Sequence, residues 1–295
     1  TATILNKLTK GRTIVSVWTD LNSPYYHGKD NIKDPKYFKK FEREISGKKI
    51  MRVWRRAKNV LIDIVGDKTI LIHMKMTGHL LYGKYRHEKS ASAATKIWKT
   101  DDPSLSDPFN RFVHLVFTLD NSYNVAFSDM RKFATVKLIS DKEALKNEFA
   151  EVGPEPLEND FDWKTLKACL LRKPRGHIKT VLMDVNTVAG IGNIYSDEIL
   201  WASKIHPERR VEEISDAEFK TILKDTKELL AKGIDFGGDS MSDYRNPYGE
   251  RGKFQMHHRV YQRKNEKCLR KGCKGIIMRK VISARSAHFC PMCQK

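Results

Sequence analysis

Cys268-Leu-Arg-Lys-Gly-Cys273 and, after an intervening loop, Cys290-Pro-Met-Cys293 close this chain in the order C-x4-C-x16-C-x2-C. Tetrahedral thiolate zinc needs two close pairs of sulfurs brought together by a loop, and this spacing supplies them. With Cys268, Cys273, Cys290 and Cys293 filling every ligand position, no place is left for substrate. One structural Zn2+ per chain is therefore expected, clipping together a segment too poor in apolar mass to fold alone. Two disulfides are the competing reading. They would need an oxidising compartment, whereas no signal peptide is visible and a reducing interior is expected, cytoplasm or nucleoid, or the nucleus in a eukaryote. From Arg251 to Lys295 there are thirteen Lys/Arg and a single acid, Glu266. A basic, zinc-stapled hairpin is suited to gripping nucleic acid.

Composition supports that partner. The chain has 295 residues and a formal net charge of +19, with 40% hydrophobic and 31% charged residues. Such a chain buries ordinary cores, which excludes whole-chain disorder, and its length suggests two domains with a small third. No run of about 18 apolar residues occurs, so no membrane span is expected. The positive charge implies phosphate neutralisation with counterion release. Charge alone names a partner and no reaction.

Outward from the cysteines, the periodicity changes twice. Arg52–Val65, Thr69–Met74, Phe112–Leu119, Tyr123–Ser128 and Thr135–Ile139 are β-branched or aromatic runs broken by polar turns, and read as strands. Between Gly83 and Asn110 a polar stretch containing SASAAT and DDPSLSDP reads as an excursion from the sheet. Gly153-Pro154-Glu155-Pro156 is a stiff connector, and beyond it the pattern is helical. Ser215 and Glu218 form a capping box before Phe219, Ile222, Leu223, Thr226, Leu229 and Leu230 on one face, with Gly233 as the expected stop. A Gly-rich polar loop, Gly237–Gly252, precedes the cysteine module. Gly190 and Gly192 lead into Asn193 and a helix-like segment; backbone N–H groups at such a turn can cradle a phosphate, although a tight helix–helix turn would look the same.

Four sets of residues together carry a resemblance. Ile178–Asp184, Gly190–Glu198 and Ile205–Arg209 resemble the helix–two-turn–helix core of the formamidopyrimidine-DNA glycosylase/endonuclease VIII family, and Arg285–Gln294 resembles its zinc-finger ending. Arg55–Lys58, His73–Gly78, Asp129–Phe133 and Gly153–Pro156 fall in the family's order. The resemblance implies an α+β protein: an N-terminal β-sandwich-like catalytic domain (1–145), a linker (146–160), a helical helix–two-turn–helix domain (161–250) and a β-hairpin zinc-finger module (251–295). DNA would lie in the cleft between the domains, bound by a monomer.

The implied function is base-excision repair of damaged double-stranded DNA. An amine attacks C1′ of a damaged nucleotide, the base leaves, and the Schiff base allows β- then δ-elimination, an abasic-site lyase activity. This chemistry needs the nucleotide outside the stack. Lys58 is implied to support glycosylic cleavage and elimination, and Arg285 to clamp the flanking phosphates with its planar fork. Lys179 and Asn193 would hold backbone phosphates. Met76, Arg131 and Phe133 would fill the hole that the extruded nucleotide leaves.

The chain departs from the family at one end. The family's nucleophile is an N-terminal proline followed by a glutamate, whereas this sequence starts Thr1-Ala2-Thr3-Ile4. An N-terminal piece is expected to precede it; without one, the chain would bind damaged DNA and cleave little of it, as a non-catalytic relative. Among lesions, the split of the void-filling set over two loops and the length of Gly237–Gly252 favour oxidised purines, 8-oxoguanine and formamidopyrimidines. Oxidised pyrimidines are the alternative.

Overall fold

The computed structural model describes residues 1–89, 96–241 and 243–295, so the SASAAT run lies outside the described residues. The described chain forms two compact units, residues 1–150 with 237–252, and residues 151–236 with 253–295.

The first unit is a sandwich of two antiparallel sheets. Its elements run α1 (Ala2–Thr9), β1 (Ile14–Thr19), α2 (Pro35–Ile45), β2 (Ile50–Arg56), β3 (Asn59–Ile64), β4 (Lys68–His73), β5 (His79–Gly83), β6 (Arg86–Lys89), β7 (Lys96–Lys99), β8 (Val113–Leu119), β9 (Asn124–Ser128), β10 (Thr135–Ile139) and α3 (Lys142–Glu148). The sheet orders are β1-β8-β9-β5 and β10-β4-β3-β2. Alternating inward residues of both sheets, Val17, Leu115, Phe117 and Phe127 from one and Val60, Ile62, Ile70 and Ile72 from the other, share one core. Leu5 of α1 and Phe38, Phe41 and Ile45 of α2 close it. The α2 start is fixed chemically: Asp34 accepts from the amides of Lys36 and Tyr37, and Pro35 presets the first turn.

Three features differ from the sequence reading. The Arg52–Val65 run is a hairpin, not one strand. It turns at Ala57-Lys58, with Ala57 at φ +50° and Arg56 paired with Asn59. Lys58 therefore stands exposed at a turn. The stretch after Gly83 folds back over the sheet: β6 and β7 pair, and Trp98 and Leu105 pack against Leu81, Val116 and Ala126 on the sheet's outer face. The Gly237–Gly252 segment, expected with the helical domain, belongs to the sandwich unit. The Tyr82 amide donates to the Pro247 carbonyl at 2.8 Å, and the buried Arg245 guanidinium lies 2.9 Å from the Asp107 carboxylate.

The second unit contains α4 (Trp163–Leu170), α5 (Ile178–Leu182), α6 (Asn193–Ala202), α7 (Asp216–Asp235) and the hairpin of β11 (Met278–Ile282) and β12 (Arg285–Phe289). Leu166, Leu170, Ile178, Leu182, Ile199, Phe219 and Ile222 build its core. Ser215 and Glu218 make the reciprocal capping box. Gly233 does not end α7, which runs on to Asp235. It is buried inside the helix, where an added Cβ would stand 2.0 Å from the Tyr195 hydroxyl, so the glycine admits the Tyr195 ring. Among the described residues no helix is long and apolar enough to cross a membrane.

Candidate nucleic-acid site

In the sandwich unit, one buried carboxylate joins two loops. Asp129, wholly buried, follows β9, and Thr77 lies in the tight turn between β4 and β5. The Thr77 hydroxyl donates to Asp129 Oδ1 and accepts from the Arg131 amide at 3.3 Å, while the Ala134 amide donates to Asp129 Oδ2 at 3.0 Å. Gly78 closes the first turn; a Cβ there would lie 2.4 Å from the Met74 carbonyl oxygen and 2.5 Å from the Phe127 ring. With its base so fixed, the turn projects Met76, which is 72% exposed. The second loop projects Arg131, its guanidinium 4.4 Å from the centre of the Phe133 ring, itself 53% exposed. The three expected void-filling side chains thus stand on neighbouring loops, bare to solvent and held from beneath.

Lys58 stands at the β2–β3 turn, where Asn59 is in register with His73 at the end of β4. Burial first, and then the charges of Lys75 and Lys58, hold the His73 imidazole down at about 4. Its Nδ1 accepts from the Lys75 amide at 3.0 Å. The imidazole is therefore neutral at physiological pH, and the cations beside it are lysines.

In the helical unit, Gly190 takes φ +86° and Gly192 caps α6, which begins at Asn193. Asn193 Oδ1 is buried and, among the described residues, has no hydrogen-bond partner; being an acceptor it cannot bind a phosphate, which only the Nδ2 donor of the same amide could do. Lys179 is placed differently from the expectation. Its side chain is 0% exposed, its ammonium pairs with the equally buried Asp197, and it donates to Ser196 Oγ at 3.2 Å. Burial lowers its pKa, opposed by Asp197. The ammonium lies inside the unit against Asp197, not at the surface where a phosphate would be met.

Asp197 also fixes the hairpin that carries Arg285. Its Oδ2 accepts from the His288 amide at 2.9 Å and meets His288 Nδ1 at 3.1 Å. Glu198, the next residue, is buried and accepts from the amides of Arg259, Val260 and Tyr261 at 2.8–3.1 Å. Consecutive α6 carboxylates thus tie the helix to both ends of the cysteine module. Arg285 opens β12 directly after the two-residue turn Ser283-Ala284, whose φ values of +47° and +62° give the twist that suits a tight hairpin. It is exposed.

The four cysteines meet. Cys268 and Cys293 sulfurs lie 3.8 Å apart and those of Cys273 and Cys290 3.7 Å apart, and all four fall within 4.8 Å of one another. A tetrahedron with metal–sulfur bonds of about 2.3 Å has edges of about 3.8 Å, so this donor set fits a tetrahedral ion of the zinc kind. Trp201 Nε1 and the Gly275 amide each donate to a ligand sulfur at 3.4 Å. A Cβ on Gly275 would come 2.5 Å from Cys290 Sγ, which makes glycine obligatory beside the cluster.

Asp129, Thr77, Asp197 and Glu198 carry no role in the sequence reading. The available signal was an acid inside each resembling motif, Asp129 before Met-Arg-Lys-Phe and Asp197-Glu198 after Tyr-Ser.

The formamidopyrimidine-DNA glycosylase N-terminal domain family matches residues 1–136, and the formamidopyrimidine-DNA glycosylase H2TH domain family matches residues 152–245. The chain is 34% identical over 295 residues to the formamidopyrimidine-DNA glycosylase of Bacillus subtilis, covering 98% of this chain and 94% of that protein. The Lactococcus lactis Fpg, solved with DNA containing an abasic site, superposes with a TM-score of 0.80 at 29% identity, covering 100% of this chain and 96% of the other. The same protein solved with FAPY-dG containing DNA gives 0.79, with 100% and 97% covered. Both units of the fold and nearly the whole sequence are accounted for, and the chain belongs to the formamidopyrimidine-DNA glycosylase family.

Proposed function

We propose that this chain, a base-excision DNA glycosylase and abasic-site lyase, acts on oxidised purines, 8-oxoguanine and formamidopyrimidines, in duplex DNA. The observation that carries the reading is the pair of loops locked by Asp129. Three exposed side chains of wedge and cation chemistry project from a rigid base, which is what replacing an extruded nucleotide requires. The split of that set over two loops, Met76 on one and Arg131 with Phe133 on the other, supports a purine lesion. So does the ring-opened purine that the Lactococcus lactis relative was caught with.

In this reading Lys58, exposed at its turn beside neutral His73, supplies positive charge where the base and phosphates depart. Arg285 and Asn193 bind phosphates, the first bidentately. Lys179 acts as a positioning residue through Asp197 rather than as a contact. One zinc ion held by Cys268, Cys273, Cys290 and Cys293 maintains the hairpin and takes no part in the chemistry. Competition between duplexes carrying 8-oxoguanine and thymine glycol tests the substrate class. Preferential release of 8-oxoguanine is expected, and faster release of thymine glycol would reverse the assignment.

A further inference from the structure

A loop of the sandwich unit closes on itself beside the void-filling loop. The Ser23 amide donates to the Lys33 carbonyl at 2.9 Å, so residues 23–33 form a compact Ω-type loop with joined ends. Its base is rigid. Ile32 is fully buried and its amide donates to the Val136 carbonyl at 3.1 Å, and Asp34, while capping α2, accepts from the Gly28 amide at 2.5 Å.

Lys33 couples this loop to its neighbour. The side chain is buried, its ammonium donates to the carbonyl of Lys132 at 2.7 Å, and it lies 5.0 Å from the centre of the Tyr26 ring. Lys132 is the residue between Arg131 and Phe133. Asp129, the carboxylate beneath the void-filling loops, also acts on the Lys33 ammonium. At the tip, Tyr25 is 87% exposed, meets Tyr26 edge-on at 5.5 Å, and is followed by the exposed His27 and Lys29.

An exposed ring on a pre-ordered loop loses little entropy when something stacks on it. With cations alongside, it has the chemistry of a platform for nucleic-acid bases. A single exposed tyrosine would call for no explanation by itself; the tether to Lys132 is what gives this one a place. We propose that the 23–33 loop is a further DNA-contacting element, in which Tyr25 packs on a base flanking the extruded nucleotide. The proposal rests on the reading that Met76, Arg131 and Phe133 occupy the void.

The test uses the full chain and duplexes holding a tetrahydrofuran abasic analogue, with 2-aminopurine placed in turn at each flanking position on both strands. Tyr25→Ala is expected to weaken binding about five- to tenfold, the low end for loss of one stacked base, and to change the emission at one flanking position. Tyr25→Phe should retain both properties. If Tyr25→Ala matches the parent in affinity and in emission at every position while Met76→Ala loses lesion affinity, the loop has no such role and the void-filling reading stands. If neither substitution alters binding, both fall together.

Discussion

The two units hold their proposed contact side chains by different means. Met76, Arg131 and Phe133 ride on loops rooted in the large apolar core of a sandwich. Arg285 rides on a hairpin whose buried clusters are small, Val260 and Ile277 among the cysteines and then Ile282, Ala287 and Phe289. Each unit uses a buried carboxylate to set the last ångström, Asp129 in one and Asp197 in the other. Only the hairpin of the second unit, whose own clusters are small, carries a four-cysteine cluster fit to add metal–sulfur bonds.

Removing the metal should break that contrast most visibly. Structural zinc in small domains contributes on the order of 10–16 kcal/mol, so chelation or Cys290→Ser should abolish amide protection over β11 and β12. Hydrogen exchange should leave β3, β4 and β8 protected. Equal loss in both units would mean that the sandwich is not self-sufficient.

The two carboxylates sharpen the comparison. Asp197→Ala strands the buried Lys179 ammonium and should cost about 3–5 kcal/mol in denaturant unfolding. Asp129→Ala leaves the Thr77 hydroxyl and the Ala134 amide without an acceptor, while the Lys33 ammonium it also acts on keeps its bond to the Lys132 carbonyl; about 2–4 kcal/mol is expected. Comparable losses from the two would argue that the Lys179 pair is no stronger than a pair of neutral hydrogen bonds. Gly233→Ala drives a methyl group towards the Tyr195 hydroxyl and should cost about 1–3 kcal/mol, with the effect confined to the helical unit.

The smallest effect is acid sensitivity on the sandwich side. Native His73 titrates near 4, against an ordinary 6.5. Between those values the unfolded chain takes a proton that the native state refuses. This contribution to stability is complete above about pH 6.5 and is lost as the pH falls towards 4. Urea midpoints measured at pH 7 and pH 5 should therefore converge more for His73→Gln than for the parent chain.

What was legible in the sequence was local. Cysteine spacing, the Ser215–Glu218 box and the β-branched runs other than Arg52–Val65 announce their structures within a few residues of themselves, and these elements are where the sequence places them. What was not legible depends on partners far along the chain. Lys179 reads as a surface cation because its neutralising Asp197 is supplied by another helix. Arg245 reads as part of a helical domain until Asp107 claims it. The Ala57-Lys58 turn carries no glycine, asparagine or proline, so nothing in RRAKN interrupts the strand pattern. Gly233 has the composition of a stop, and only the ring of Tyr195 explains why it is not one.

The central claim is that the Asp129-braced side chains fill the place of an extruded nucleotide rather than contact DNA in general. It is tested most directly by the ratio of dissociation constants for an undamaged duplex and one with an abasic analogue, in the parent chain and in Met76→Ala/Phe133→Ala. The double variant should lower that ratio by about tenfold, the equivalent of about 1.4 kcal/mol, with affinity for undamaged duplex unchanged. A parallel loss on both duplexes, leaving the ratio intact, would contradict it.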